Sequence, residues 1–240
     1  MTGAIATSDR ESATAADDPF AGKLLLCIDA STEQAGIGLF GRGHAAELVW
    51  LAGRAQTVSL LAQIHHLLDL HGLTPADLGA VAVATGPGTF NGLRVGMSVA
   101  KGLVLALDLP LYGIDTLAVA ALPWLTADAP TIAAVAAGRG RLVWTEFQPG
   151  FGEPTPAAPA RNTGPADLVA AVRAHTGRIV VTGELAPETA VALAALENIV
   201  VPPAPLRLRR PGALAALAAP RLARCAADDP ALLEPRYLGR

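Results

Sequence analysis

Residues Ala80-Val81-Ala82-Val83-Ala84-Thr85-Gly86-Pro87-Gly88-Thr89-Phe90-Asn91-Gly92-Leu93-Arg94-Val95-Gly96 decide how this chain is read. The opening run is continuously apolar and of strand length. Gly86-Pro87-Gly88 breaks it, and apolar residues then recur at helical spacing from about Asn91 to Leu107. A strand that enters a glycine-rich turn and then a helix aims several backbone N–H groups at one spot, backed by the helix dipole. Those are the physical conditions for an anion site. The stretch is neither a Walker A loop nor a GxGxxG fingerprint, because no Gly-Lys-Ser/Thr ends it and the glycine spacing differs. Two readings stay open: Gly86, Gly88 and Thr89 hold a phosphate, or the glycines only permit a sharp turn.

Outward from this stretch the chain alternates strands and helices. Leu24-Leu25-Leu26-Cys27-Ile28 suits a buried strand ending at the polar turn Asp29-Ala30-Ser31-Thr32. Two further strands, 35–40 and 45–51, flank a hairpin at Gly41-Arg42-Gly43-His44. Thr57 is placed to cap a helix whose apolar face is Leu60, Ile64, Leu67 and Leu68. After the Asn91–Leu107 helix come a strand at 111–114 and a helix at 116–122. The second half begins with a hairpin, 131–136 and 142–147, and then a proline-rich loop. It continues with a helix from Pro165 to His175, a strand at 178–182, a helix at 187–196, a strand at 198–201 and a helix at 212–224. The similar element order in the two halves predicts an α/β fold of two related lobes: a disordered leader over 1–21, a first lobe over 22–108 and a second over 109–240.

Composition bounds the function. The 240 residues are 52% hydrophobic but only 4% aromatic, which leaves few stacking platforms for single-stranded nucleic acid. A net charge of −3 argues against a globally basic nucleic-acid binder. The most apolar window, Met97 to Gly113, is interrupted by Lys101, Asp108 and Pro110, so no membrane span is expected. Two cysteines without a CxxC motif and an N-terminus without a secretory signal point to the cytoplasm. Charge is uneven: residues 201–240 carry 7 basic and 3 acidic side chains. There Arg207, Arg209, Arg210, Arg221 and Arg224 form either a patch for tRNA or an acidic partner, or a solvated helix face.

The 91–107 helix carries Gly92, Gly96 and Gly102, with Ala100 and Ala106, beside an apolar stripe of Val95, Val99, Leu103 and Leu107. Glycine costs about 1 kcal/mol against alanine inside a helix, so close approach of another backbone is expected in return. That backbone belongs either to the chain's own sheet or to a second subunit. No Gly-x-Ser-x-Gly elbow exists, and no serine has an evident His/Asp setting, so a protease reading finds no nucleophile–base pair. His65, His66 and His71 lack metal-ligand spacing and read as a solvated face.

Four blocks together carry a family resemblance: Leu26-Cys27-Ile28-Asp29-Ala30-Ser31-Thr32; Gly86 through Gly96; Leu109-Pro110-Leu111-Tyr112-Gly113-Ile114-Asp115-Thr116-Leu117; and the terminal Glu234-Pro235-Arg236-Tyr237-Leu238. In order and spacing they resemble the TsaB (YeaZ) family, densely over Leu24 to Ala121 and sparsely beyond. The resemblance implies an ASKHA (actin, hexokinase and Hsp70) fold. It also implies a non-catalytic partner of TsaD, the related subunit that transfers threonylcarbamoyl to N6 of adenosine 37 in tRNAs reading ANN codons. The implied partners are a TsaD-like subunit and a TsaE-like ATPase, with a homodimer when the chain is alone and only indirect tRNA contact. No tightly bound cofactor is implied; ATP is used by the assembled complex. TsaD carries an HxxxH metal pair where this chain has Thr116 and Ala120, which cannot ligate as two imidazoles do.

By the same resemblance, the dimer surface comprises Leu60, Ile64, Leu67 and Leu68 of one helix with Gly92, Val95, Gly96, Val99, Ala100 and Leu103 of the next. Asp29 stands where ASKHA phosphotransferases keep a carboxylate near metal-bound phosphate; here it is either that group or a turn cap. The alternative function is therefore an independent ASKHA-type ATPase or small-molecule kinase using Asp29 and the Gly86–Gly88 turn. One departure is clear: the Asp-Ala-Arg triplet that usually opens the family's second lobe is replaced by Ala136-Ala137-Gly138, followed by Arg139-Gly140-Arg141.

Overall fold

The computed structural model describes residues 20, 22–53 and 56–238; of residues 56–58 it describes the backbone only. The expected leader, apart from Phe20, lies outside the described residues, as does the side chain of the expected Thr57 cap. The first sheet has the order β3-β2-β1-β4-β5, built from β1 (Leu25–Asp29), β2 (Gln34–Gly41), β3 (His44–Leu51), β4 (Ala80–Gly86) and β5 (Leu111–Asp115). The second has the order β10-β9-β6-β7-β8, from β6 (Thr131–Ala136), β7 (Leu142–Phe147), β8 (Arg161–Thr163), β9 (Ile179–Gly183) and β10 (Ile199–Val200). In each sheet the first three strands in chain order pair antiparallel and the last two join in parallel. The two sheets are therefore topological copies, which is the duplication that the element order predicts.

Alternation along β1 assigns its two faces. Leu24, Leu26 and Ile28 pack with α1 (Gln56–Leu70) and α2 (Phe90–Leu107), whereas Leu25 and Cys27 pack with α6 (Pro211–Ala223). Every residue of β1 is buried, as a strand covered on both faces requires. In the second sheet α4 (Pro165–Arg173) and α5 (Pro187–Ala194) cover one face. The short α3 (Thr116–Ala121) covers the other and also touches β4 and β5, so it lies between the sheets.

Two features differ from the sequence expectation. The predicted lobe boundary at 108/109 falls before β5, which pairs with β4 in the first sheet. The change of sheet comes between β5 and β6, and α6 then returns to the first sheet across β1, β2, β4 and β5. The reason is physical: β5 closes the open edge of β4, and α6 supplies the apolar cover that the outer face of the first sheet lacks. The other difference is β8, whose partner is the 142–144 segment of β7.

α2 is long and apolar enough, by length and composition, to cross a bilayer. Its Gly92, Leu93, Gly96, Met97, Ala100 and Val104 are nevertheless buried within this chain, against the first sheet. Cys27 is buried and Cys225 exposed, both as free thiols.

Candidate functional site

The glycine-rich turn is closed by its neighbours. The Thr89 N–H donates to the Ser31 carbonyl at 2.7 Å, and a Cβ at position 88 would collide with that carbonyl oxygen. On the other side the Arg236 N–H donates to the Thr85 carbonyl at 2.7 Å, and a Cβ on Gly86 would lie 2.6 Å from the Arg236 carbonyl oxygen. Gly86 has φ +113°, a conformation that favours glycine. Thr89 caps α2 by accepting the Gly92 N–H at 3.3 Å, and Gly86 N–H donates to the buried Thr116 hydroxyl. These contacts give Gly86 and Gly88 a packing reason, the second of the two readings open for the turn. The glycines admit the close approach of two protein backbones, the 29–32 turn and the C-terminal tail. A Gly88→Ala variant is accordingly expected to lose stability by about 1–3 kcal/mol, read from its urea midpoint; an unchanged midpoint would refute this close-packing account.

Asp29 is equally committed. Its Oδ1 accepts both the N–H (2.9 Å) and the hydroxyl (2.5 Å) of Ser31, which is the turn-capping role. Its Oδ2 accepts Arg209 Nε at 2.7 Å. Arg209 is only 2% exposed, and its remaining donors reach across the molecule. Nη1 pairs with Glu184, the residue just after β9, and Nη2 bonds the Thr32 hydroxyl at 2.8 Å and the Gln34 carbonyl at 3.1 Å. Glu184 also accepts from Thr32 and from the Ala136 N–H. Burial works against the Arg209 charge, but Asp29 and Glu184 more than offset it and hold the guanidinium above the usual arginine value. One buried cation thus joins the carboxylate at the end of β1 to the carboxylate just after β9, fastening the two sheets together.

This junction was not read from the sequence, where Arg209 counted toward a basic patch. Neither reading of the five arginines, a basic patch or a solvated helix face, holds for all of them. Arg207 and Arg209 are buried, Arg210 pairs with Glu47, and Arg221 pairs with Asp228 at 2.9 Å; Arg224 alone of the five is exposed without an ion pair among the described residues. The available signal was positional: Asp29 closes the buried strand β1 and Glu184 directly follows the buried strand β9.

The helix surface also needs correction. Leu60, Ile64, Leu67 and Leu68 are at most 5% exposed and lie in the core beneath α1 and α2, so they support the helices and present nothing outward. Gly92, Gly96 and Ala100 are buried as well. A Cβ on Gly96 would make ordinary contacts with Ala30 (3.4 Å) and Val83 (3.9 Å), so Gly96 faces the chain's own first sheet, although that packing does not demand a glycine. Val95, Val99 and Leu103 are half-buried at the α1 side of α2. Outward-facing apolar area comes from Leu105 on α2 (74% exposed), one turn from Gly102, above which there is open space, and from Leu61 on α1 (46%). His65, His66 and His71 are exposed, as read.

Where TsaD has its histidine pair, the Thr116 hydroxyl is the acceptor for Gly86 N–H and Ala120 packs against the second sheet. Asp115 caps α3 by accepting the Ala118 N–H; burial raises its carboxyl above the usual value. Among the described residues no cluster of three or more His, Cys, Asp or Glu could hold a metal. At the departure from the family triplet, Arg141 is held by Asn162 of β8, while Arg139 sits exposed at the hairpin tip with φ +54°.

Residues 50–201 match the family model for TsaD, described as tRNA N6-adenosine threonylcarbamoyltransferase. The chain is 33% identical over 126 residues to the tRNA threonylcarbamoyladenosine biosynthesis protein TsaB of Escherichia coli, a match covering 52% of this chain and 54% of that protein. The match thus spans about half the length of that relative. An uncharacterized protein of Mycobacterium tuberculosis is 32% identical over 199 residues, 79% of this chain and 93% of its own. The solved structure titled YeaZ from Pseudomonas aeruginosa superposes with a TM-score of 0.71 at 26% identity, over 90% of this chain and 100% of that one. With two topologically equivalent sheets and this match, the fold is ASKHA-like. A family model that matches well over half of the chain, and TsaB and YeaZ relatives by sequence and by structure, lead to one conclusion: the chain belongs to the TsaB (YeaZ) family.

Proposed function

We propose that this chain is the non-catalytic dimerization and scaffold subunit of a tRNA threonylcarbamoyladenosine machine, pairing with a TsaD-like transferase through the outer face of α1 and α2. The observation that carries this reading is the exposed Leu105 one turn from Gly102 on α2, with exposed Leu61 on α1 and half-buried Val95, Val99 and Leu103 on α2. Small and apolar residues side by side let a partner helix approach closely and bury area in return. In the absence of TsaD the same face pairs two copies of this chain. A TsaE-like ATPase joins the heterodimer, ATP is consumed by the assembly, and tRNA is held mainly by the partner in the cytoplasm. No cofactor is bound tightly by this chain itself.

The independent kinase or ATPase reading is not favoured. Its carboxylate, Asp29, is engaged by Ser31 and Arg209, and the Thr89 N–H of its turn is already given to the Ser31 carbonyl. The scaffold reading is tested by co-purification: a tagged copy of this chain expressed with the host's TsaD-like protein should elute with it as a one-to-one complex. Separate elution at micromolar concentrations of both would overturn the proposal.

A further inference from the structure

After α6 the chain runs as a tail along the open edge of the first sheet. β5 is that edge, and its outward backbone groups are taken up there. The Leu111 carbonyl accepts the Asp228 N–H at 2.8 Å, and the Gly113 N–H donates to the Asp228 carboxylate at 2.7 Å. The Gly113 carbonyl accepts Arg221 Nη1 at 2.9 Å. An edge satisfied in this way is kept from pairing elsewhere. Leu233 then packs over Gly113 against the core beneath α1 and α2, and the Arg236 N–H reaches the Thr85 carbonyl. Up to that point the tail belongs to the first sheet.

The next two residues cross to the second. The Tyr237 ring rests on Phe90, the first residue of α2, with 5.3 Å between centroids, and the Arg94 guanidinium covers the Phe90 ring at 4.0 Å. Leu238 offers its carbonyl to Asn162 Nδ2 of β8 at 3.0 Å, and the Asn162 Oδ1 accepts Arg141 Nε at 2.8 Å. One dipeptide therefore bridges the start of α2 and the edge strand of the second sheet. These closing contacts are shallow: Phe90 is 53% exposed, Tyr237 47% and Leu238 40%. A tail anchored deeply on one sheet and lightly on the other opens at its light end first. Phe90 and Arg94 also begin the exposed face of α2, since Arg94 lies about three turns before Leu105 on the same side.

We propose that Tyr237 and Leu238 form a latch through which docking on α2 and the placement of β8 are coupled. A subunit seated on α2 covers the Phe90–Tyr237 pair, holds the latch shut and so steadies the edge of the second sheet. A released latch weakens docking in return, because such coupling is reciprocal. The coupling rests on the scaffold reading, whereas the latch is a property of the isolated chain.

Hydrogen exchange read by mass spectrometry, on the full chain alone and with the TsaD-like protein, tests each part. Tyr237→Ala removes the ring. Asn162→Asp keeps an acceptor for Arg141 but cannot donate to Leu238. In the isolated chain each variant should speed exchange of the β8 amides at least threefold and leave the β1 amides unchanged. In the wild-type complex β8 exchange should slow. Tyr237→Ala should lose that slowing and bind the partner at least threefold more weakly. Unchanged β8 exchange in both isolated variants would overturn the latch, and slowing that persists in the Tyr237→Ala complex would overturn the coupling. If the wild-type chain forms no complex, the scaffold reading and the coupling fall together, while the isolated-chain arm still decides the latch.

Discussion

Arg209→Met lowers the unfolding free energy of the isolated chain by about 3–5 kcal/mol, the range for removing one partner of a buried ion pair. The variant keeps the apolar volume of the stem but leaves Asp29, 4% exposed, facing its former partner's place with an unpaired Oδ2. Glu184, with its side chain 19% exposed, regains water and retains the Ala136 N–H, so most of the loss is assigned to Asp29. Pairing Arg209→Met with Asp29→Asn removes the stranded charge and should recover part of the loss, a coupling that a double-mutant cycle measures. Guanidinium unfolding curves of the four proteins check this. A loss below about 1 kcal/mol for Arg209→Met would mean that the two sheets are held by their apolar contacts alone.

Leu105→Glu abolishes pairing with the TsaD-like subunit and leaves this chain's own fold intact. At 74% exposure, Leu105 contributes little to the core, so the stability change should stay within about 0.5 kcal/mol. At the centre of an interface, a charge in place of an apolar anchor costs about 2 kcal/mol or more, roughly a 30-fold loss of affinity. Val99→Asp should also abolish pairing, but Val99 packs against the chain's own core, so that variant weakens the fold at the same time. Gly102→Arg, built into open space, separates the two effects. Size-exclusion mixing with the partner reads all three. Unchanged complexes with both Leu105→Glu and Gly102→Arg would move the interface off α2.

Much of the fold was legible because the buried parallel strands announce themselves. The apolar runs at 24–28 and 80–84 and the helical spacing over 91–107 needed no tertiary knowledge. β8 was missed because Arg161-Asn162-Thr163 is a polar edge strand held by its neighbour's backbone and has no apolar pattern of its own. The lobe boundary was misplaced for a related reason: an apolar helix face says that α6 covers a sheet, but not which one. Similarly, periodicity marked Leu60, Ile64, Leu67 and Leu68 as one face without telling whether that face meets the chain's own sheet or a partner. The junction was least legible. Asp29 could be picked out at the end of its strand, but its cation lies 180 residues away and came from a run of arginines that looked solvated. Long-range ion pairing leaves no local period to read.

The most direct measurement of the central claim is a reconstituted modification assay. Unmodified tRNA reading ANN codons is incubated with ATP, a threonylcarbamoyl donor, and the TsaD-like and TsaE-like proteins, with this chain, without it, or with its Leu105→Glu variant. The scaffold account predicts threonylcarbamoyladenosine only when the wild-type chain is present, and a loss with Leu105→Glu close to that of omission. Equal product in all three reactions would contradict it.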